Sequence, residues 1–161
     1  MIAPPSKARD SPNRRVHVIV IGIGFSELPH LANFWAGFMA APRFMLVEDD
    51  PLLGMLIADW LGEFGCIVLG PLGNAKLALE ALAREGATLD GALLDVTLRE
   101  GGDSYAIADA LTLSGIPFVF VTGHGIGELP RRYRQSPLLT KPFQPDDLLR
   151  MVEQLVERGA S

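Results

Sequence analysis

From Arg43 onward, apolar and polar residues recur in two alternating patterns. Short, nearly continuous apolar runs, suited to strands buried on both faces, are separated by longer amphipathic stretches with a helical period. The runs are Phe44 to Val47, Cys66 to Leu69, Gly91 to Val96, Ile116 to Val121 and Pro137 to Leu139. The first helix is announced by Asp50-Pro51, an N-cap followed by proline at the first helical position. Its apolar stripe is Leu53, Ile57, Trp60, Leu61 and Phe64, and Gly65 can end it. A second helix runs from Asn74 to Glu85 with Leu77, Ala81 and Leu82 facing inward. A third, capped by Asp103 or Ser104, carries Ile107, Ala108 and Leu111. Residues 126 to 134 contain Gly127 and Pro130 and predict only a weak helix. The last helix starts at Gln144-Pro145-Asp146-Asp147, whose acids favour the helix dipole. It buries Leu148, Met151, Val152, Leu155 and Val156.

Strand and helix therefore alternate five times. Right-handed crossovers turn that order into a parallel sheet with helices on both faces, an α/β fold. Residues 1 to 42 follow a different rule. They hold Pro4, Pro5 and Pro12, then the apolar run Val16 to Ile23, and sustain no period. The expectation is an α/β domain over 43 to 158 and an N-terminal extension over 1 to 42. That extension is read as disordered or as an upstream reading-frame addition, because Met39-Ala40-Ala41-Pro42-Arg43 leads directly into the first strand.

Composition removes several classes of function. Hydrophobic residues make up 48% and charged residues 20%, a globular balance. A net charge of −5 argues against general nucleic-acid binding. No run is long enough to span a bilayer. Arg14 and Arg15 ahead of Val16 to Phe25 imitate a signal peptide, but the remainder of the chain points to the cytoplasm. Cys66 lies in an apolar run and reads as a small buried hydrophobe.

In an open parallel sheet, ligands bind beyond the carboxyl ends of the strands. Those ends carry Glu48-Asp49-Asp50, Asp95, Thr122-Gly123 and, just after the fifth strand, Lys141-Pro142. Carboxylates gathered there repel, by roughly 3 kcal/mol per pair at ~5 Å and an effective dielectric near 20. A hard divalent cation and Lys141 offset that, and Asp95 can then act as a nucleophile toward a phosphoryl group. Thr122 can donate to a phosphoryl oxygen. Asp50 is read mainly as the helix cap. His124 lacks ligand partners nearby and reads as an exposed loop residue.

Phe-Met-Leu-Val-Glu48-Asp49-Asp50-Pro51, Leu-Leu-Asp95, Phe-Val-Thr122-Gly123 and Lys141-Pro142-Phe143 together resemble the receiver domain of two-component response regulators. The resemblance implies a CheY-like, flavodoxin-like (βα)5 fold with strand order 2-1-3-4-5 and a fourth helix that is weak or loop-like. It implies Mg²⁺ held by Glu48, Asp49, Asp95 and the backbone carbonyl of Thr97. Asp95 becomes the phosphoacceptor, Thr122 the switch hydroxyl and Lys141 the phosphate-binding lysine. The implied donor is a histidine kinase or histidine phosphotransfer protein. The protein would be a single-domain regulator that relays, drains or presents the phosphoryl group. It would be no enzyme beyond slow self-catalysed phosphorylation and dephosphorylation. Pro117-Phe118-Val119-Phe120-Val121-Thr122-Gly123-His124-Gly125 is similar to the Pro-Phe-x-Phe-Ala-Thr-Gly-Tyr-Gly signature of an alphaproteobacterial subgroup associated with HWE-family kinases and general stress signalling.

The sequence also departs from the family. Leu98-Arg99 replaces a frequent Met-Pro, and Leu138 stands where an aromatic switch residue is common. A segment from about Gly123 to Arg134 is expected to be loose and to order on phosphorylation. Alternative readings are a degenerate receiver that only binds partner proteins, and a haloacid-dehalogenase-like phosphatase. The phosphatase would need a second aspartate at position 97, which is Thr. Gly22-Ile23-Gly24 is too weak a fingerprint for dinucleotide binding. Oligomeric state is left open.

Overall fold

The computed structural model describes residues 40–98 and 102–159. The expectations for residues 1 to 38, the glycine pair Gly22 and Gly24 among them, lie outside the described residues.

Five strands form one parallel sheet: β1 (Arg43–Val47), β2 (Ile67–Leu72), β3 (Gly91–Asp95), β6 (Phe118–Thr122) and β7 (Leu138–Thr140). Their order is β2-β1-β3-β6-β7, which is 2-1-3-4-5 when only the sheet strands are counted. The helices are α1 (Pro51–Glu63), α2 (Ala75–Glu85), α3 (Tyr105–Leu113) and α4 (Pro145–Gly159). A two-stranded antiparallel ribbon, β4 (Thr97–Leu98) with β5 (Gly102–Asp103), follows β3. The expected flavodoxin-like fold is what the chain adopts. Among the described residues, no helix is long and apolar enough to cross a membrane.

Strand parity divides the core into two layers. Phe44 and Leu46 of β1 face α1 and α4, packing with Ile57, Leu61, Leu148, Val152 and Leu155. Met45 and Val47 face α2 and α3, packing with Ala78, Leu82, Ile107 and Leu111. Burial on both faces explains why the strand sequences read as unbroken apolar runs. Cys66 is a buried member of the first layer. Burial pushes its thiol up to about 12, so it packs as a hydrophobe and is not a nucleophile.

Most helix boundaries are where capping chemistry puts them. The Asp50 carboxylate accepts from the amides of Leu52 (3.0 Å) and Leu53 (3.1 Å). Gly65 leaves α1 with φ 82. In the third helix, Asp103 Oδ1 accepts from the amide of Tyr105 at 3.1 Å, while Ser104 makes no side-chain cap bond.

Three expectations need correction. Leu77 is 45% exposed, and Ala78 takes the inward place with Ala81 and Leu82. Trp60 and Met151 are only half-buried, at the edges of their stripes; Trp60 meets Phe143 edge-on at 6.1 Å. The second strand does not stop at Leu69 but runs through Gly70-Pro71 to Leu72, with a register shift against β1 between Met45 and Val47.

That continuation depends on Gly70. Its φ is +136, and a Cβ there would lie 2.4 Å from the Leu46 carbonyl oxygen. Gly70→Ala combines a backbone region closed to L side chains with a clash against the neighbouring strand, and should cost about 3 kcal/mol. Urea unfolding of the two proteins measures this. A loss within the ordinary surface range would mean that the strand shifts freely.

The fourth helix is indeed absent. Between β6 and β7 the chain makes two 3-10 turns, Ile126–Glu128 and Arg131–Tyr133. The stretch is not loose throughout, however. Gly123 to Gly127 are exposed, but Leu129 (2%) and Tyr133 (5%) are buried against the α2/α3 layer. Glycine and proline deny a helix, and apolar side chains still anchor the backbone.

Candidate functional site

Parallel pairing brings every strand's carboxyl end to one rim. Val47 pairs with Leu94 and Asp95 pairs with Val121, so Glu48 and Asp95 emerge side by side. Glu48 remains tied to the sheet through its amide, which donates to the Leu72 carbonyl at 3.1 Å. Thr122 pairs with Thr140, and the Lys141 amide donates to the Thr122 carbonyl at 2.7 Å. The Lys141–Pro142 peptide is cis.

The side chains converge as the sequence placed them. Glu48, Asp49 and Asp95 each offer a carboxylate oxygen, and these oxygens all lie within 4.8 Å of one another. Glu48 (3%), Asp95 (7%) and Thr122 (3%) are buried, and Asp49 is half-buried. The Lys141 ammonium bridges the cluster, donating to Glu48 Oε2 at 2.9 Å and to Asp95 Oδ2 at 3.1 Å. The Asp50 amide donates to Glu48 Oε1 at 3.0 Å, and the Thr97 amide to Asp95 Oδ1 at 3.2 Å. Thr122 Oγ1 accepts from the His124 amide at 3.0 Å, and the His124 side chain belongs to an exposed residue.

The electrostatics follow from this crowding. Burial pushes the Glu48 carboxyl above the ordinary glutamate range, and the Asp95 charge adds to it. The Asp50 amide and Lys141 pull the other way without cancelling the rise. Burial works against the Lys141 ammonium, but its hydrogen bonds to Glu48 and Asp95 outweigh that and hold its pKa above that of a free lysine. Lys141 is therefore a fixed positive charge at neutral pH.

An oxygen-only donor set with excess negative charge fits a hard divalent cation. Glu48, Asp49 and Asp95 are the residues able to hold it. Ser104, one of the two candidate caps of α3, instead has its hydroxyl buried without a hydrogen-bond partner. One residue that matters locally was not singled out from the sequence: Tyr133 is the buried centre of an aromatic cluster. Tyr133 sits between arginines in a stretch read as loop, so no periodicity marked it.

No family model matches the chain. It is 29% identical over 124 residues to the transcriptional regulatory protein AruR of Pseudomonas aeruginosa, covering 73% of this chain and 50% of AruR. The chain spans only about half the length of the curated relatives it matches. Among solved structures, SdrG from Sphingomonas melonis Fr1 is 34% identical with a TM-score of 0.63, covering 72% of this chain and 97% of SdrG. SdrG in its BeF3-activated conformation aligns at 36% identity with a TM-score of 0.61, covering 73% of this chain and 98% of that one. The response regulator PhyR from Brucella abortus is 30% identical with a TM-score of 0.62, covering 73% of this chain and 49% of PhyR.

Proposed function

The chain belongs to the receiver-domain family of two-component response regulators, and from that premise we propose that it takes a phosphoryl group onto Asp95. The donor in this reading is the phosphohistidine of a histidine kinase, with HWE-type kinases favoured by the Pro117 to Gly125 signature, or of a histidine phosphotransfer protein. Residues 43–158 are the working unit, and its task is to relay, drain or present the phosphoryl group to a protein partner.

One observation carries the reading. The Lys141 ammonium contacts both Glu48 and Asp95 at the rim, with the Asp49 carboxylate beside them. Asp95 Oδ attacks phosphorus, a P–O bond forms, and the P–N bond to the donor imidazole breaks as the imidazole takes up a proton from solvent water. Lys141 neutralises charge on the phosphoryl oxygens, and Thr122 donates its hydroxyl to one of them. Glu48, Asp49, Asp95 and the Thr97 carbonyl would hold Mg²⁺, which when bound supplies positive charge to the group in transfer. No general acid is needed, consistent with threonine at position 97 where the phosphatase alternative requires an aspartate.

Incubating the full chain with acetyl phosphate and Mg²⁺, then mapping peptides by mass spectrometry, tests the proposal. A single phosphoryl group on the Asp95 peptide, abolished by EDTA, is expected. An unlabelled wild-type protein would favour the partner-binding alternative instead. Metal binding has its own readout. Mg²⁺ at 100 times its dissociation constant should stabilise the wild type by about 2.7 kcal/mol. Asp49→Ala should lose that gain while remaining at least as stable without metal, since a half-buried like charge leaves the cluster. An undiminished Mg²⁺ effect in the variant would remove Asp49 from the metal site.

A further inference from the structure

The stretch joining β6 to β7 is tied to α3 by an unusually dense set of contacts at one residue. The Tyr133 hydroxyl donates to Asp109 Oδ1 on α3, and also lies 3.3 Å from the Tyr105 carbonyl. Its ring stacks on Tyr105 (5.7 Å, 15°) and meets Phe120 (5.2 Å) and Phe118 (6.2 Å) edge-on. From outside, Arg132 places its guanidinium 4.7 Å from the Tyr133 ring centre while donating to Asp109 Oδ2 at 3.3 Å. Asp109, held below the ordinary aspartate range first by the Tyr133 hydroxyl and then by Arg132, is a charged acceptor.

This cluster is mechanically linked to the rim. Phe120 and Thr122 are two apart on β6, so their side chains leave the same face of the strand. Thr122 Oγ1 holds the beginning of the same stretch through the His124 amide. The stretch is thus fastened at both ends and exposed between, from Gly123 to Gly127. A rotation of Thr122 that broke its bond to the His124 amide would release the first fastening. The second fastening is Tyr133.

We propose that Tyr133 and Asp109 form a latch that holds the β6–β7 stretch against α3 in the unphosphorylated protein and resists its rearrangement when Asp95 is modified. The switching part rests on the phosphoacceptor reading above; the latch itself does not. A ligand shifts a two-state equilibrium only by its differential affinity for the two states. A latch that stabilises the resting arrangement therefore weakens apparent binding of a phosphoryl mimic, and loosening it strengthens that binding.

The test compares wild type, Tyr133→Phe and Asp109→Ala as full chains. Phenylalanine keeps the ring packing and removes only the hydroxyl. The amides of Tyr133 and Ser136 donate to the carbonyls of Pro130 (2.8 Å) and Tyr133 (3.0 Å), so their exchange reports on the anchored half. In both variants these amides should exchange about tenfold faster, the factor expected for losing a hydrogen bond to a charged group. Strand amides of β3 and β6 should not change. Unchanged exchange at Tyr133 and Ser136 would overturn the latch. Beryllofluoride with Mg²⁺ should bind both variants several-fold more tightly than wild type; equal affinity in all three would overturn the switching role. A wild type that does not bind beryllofluoride at all would refute the phosphoacceptor reading, and the switching role with it. The exchange measurement would still decide the latch.

Discussion

Asp95→Asn is expected to abolish labelling by acetyl phosphate and, at the same time, to make the unphosphorylated protein more stable by about 1–2 kcal/mol. The first effect follows from losing the carboxylate proposed to accept the phosphoryl group, which the Lys141 ammonium contacts at 3.1 Å. The second is a matter of charge balance. Asp95 sees one favourable charge, the Lys141 ammonium at 3.1 Å, and two unfavourable ones, Glu48 and Asp49, within 4.8 Å. At an effective dielectric near 20, the attraction is worth about 5 kcal/mol and each repulsion about 3 kcal/mol. Two repulsions exceed one attraction, and burial of the carboxylate adds to the deficit. Asparagine keeps an oxygen for the Thr97 amide. Denaturant melts at neutral pH, without metal, measure the gain. A destabilised Asp95→Asn would mean that the Lys141 contact dominates and that the cluster is a structural ion pair.

Stability gained with activity lost marks a site that is kept for function against the fold's own preference. The same tension explains how much of this protein could be read from its sequence. Phe44 to Val47 and Gly91 to Asp95 are buried on both faces, so their apolar runs admit little else than central parallel strands. Once the strands are placed, the rim residues are fixed, because a strand's carboxyl end is a matter of counting. Glu48, Asp49, Asp95 and Lys141 therefore meet at the rim, with Thr122 at the end of the neighbouring strand.

What stayed hidden depends on contacts that a local pattern does not encode. Gly70-Pro71 has the composition of a turn, yet β1 holds it in the sheet by close backbone approach. Leu77 and Ala78 both fit an amphipathic stripe, and the period alone does not say that the alanine is the one buried. The ribbon of Thr97–Leu98 with Gly102–Asp103 has two residues in each strand, too few for a period. Tyr133 is the sharpest case. Its partners Tyr105, Asp109 and Phe120 come from two other elements, and their spacing in sequence carries no trace of the cluster.

Lys141→Met should also abolish or severely slow phosphorylation, but with the opposite effect on stability. Methionine matches the lysine stem and removes the charge that touches two buried carboxylates. Breaking a buried pair costs about 3–5 kcal/mol; with the Lys141 side chain 24% exposed, about 2–3 kcal/mol is expected at pH 8. The loss should depend on pH in a defined direction. Glu48 already has a folded-state pKa above its ordinary value of 4.5. For such a group the favourable contribution is complete below the unfolded pKa and disappears as pH rises through the folded one. Without Lys141 the folded pKa climbs further, so the two proteins lose stability in parallel from pH 4.5 until the wild-type Glu48 ionises at its raised folded-state pKa; from there the disadvantage of the variant grows with rising pH and levels off once Glu48 is ionised in both proteins. The stability difference between wild type and variant should therefore be smallest and flat at acid pH and widen once pH passes the raised folded-state pKa of the wild-type Glu48, which urea melts across that range will register. A difference that is constant with pH would show that packing of the lysine stem, and not its charge among the carboxylates, is what the protein loses. Comparison with Asp95→Asn then separates the two roles of the rim. Both variants should lose labelling by phosphoryl donors, one with a gain in stability and the other with a loss, and no general damage to the fold produces that pair of signs.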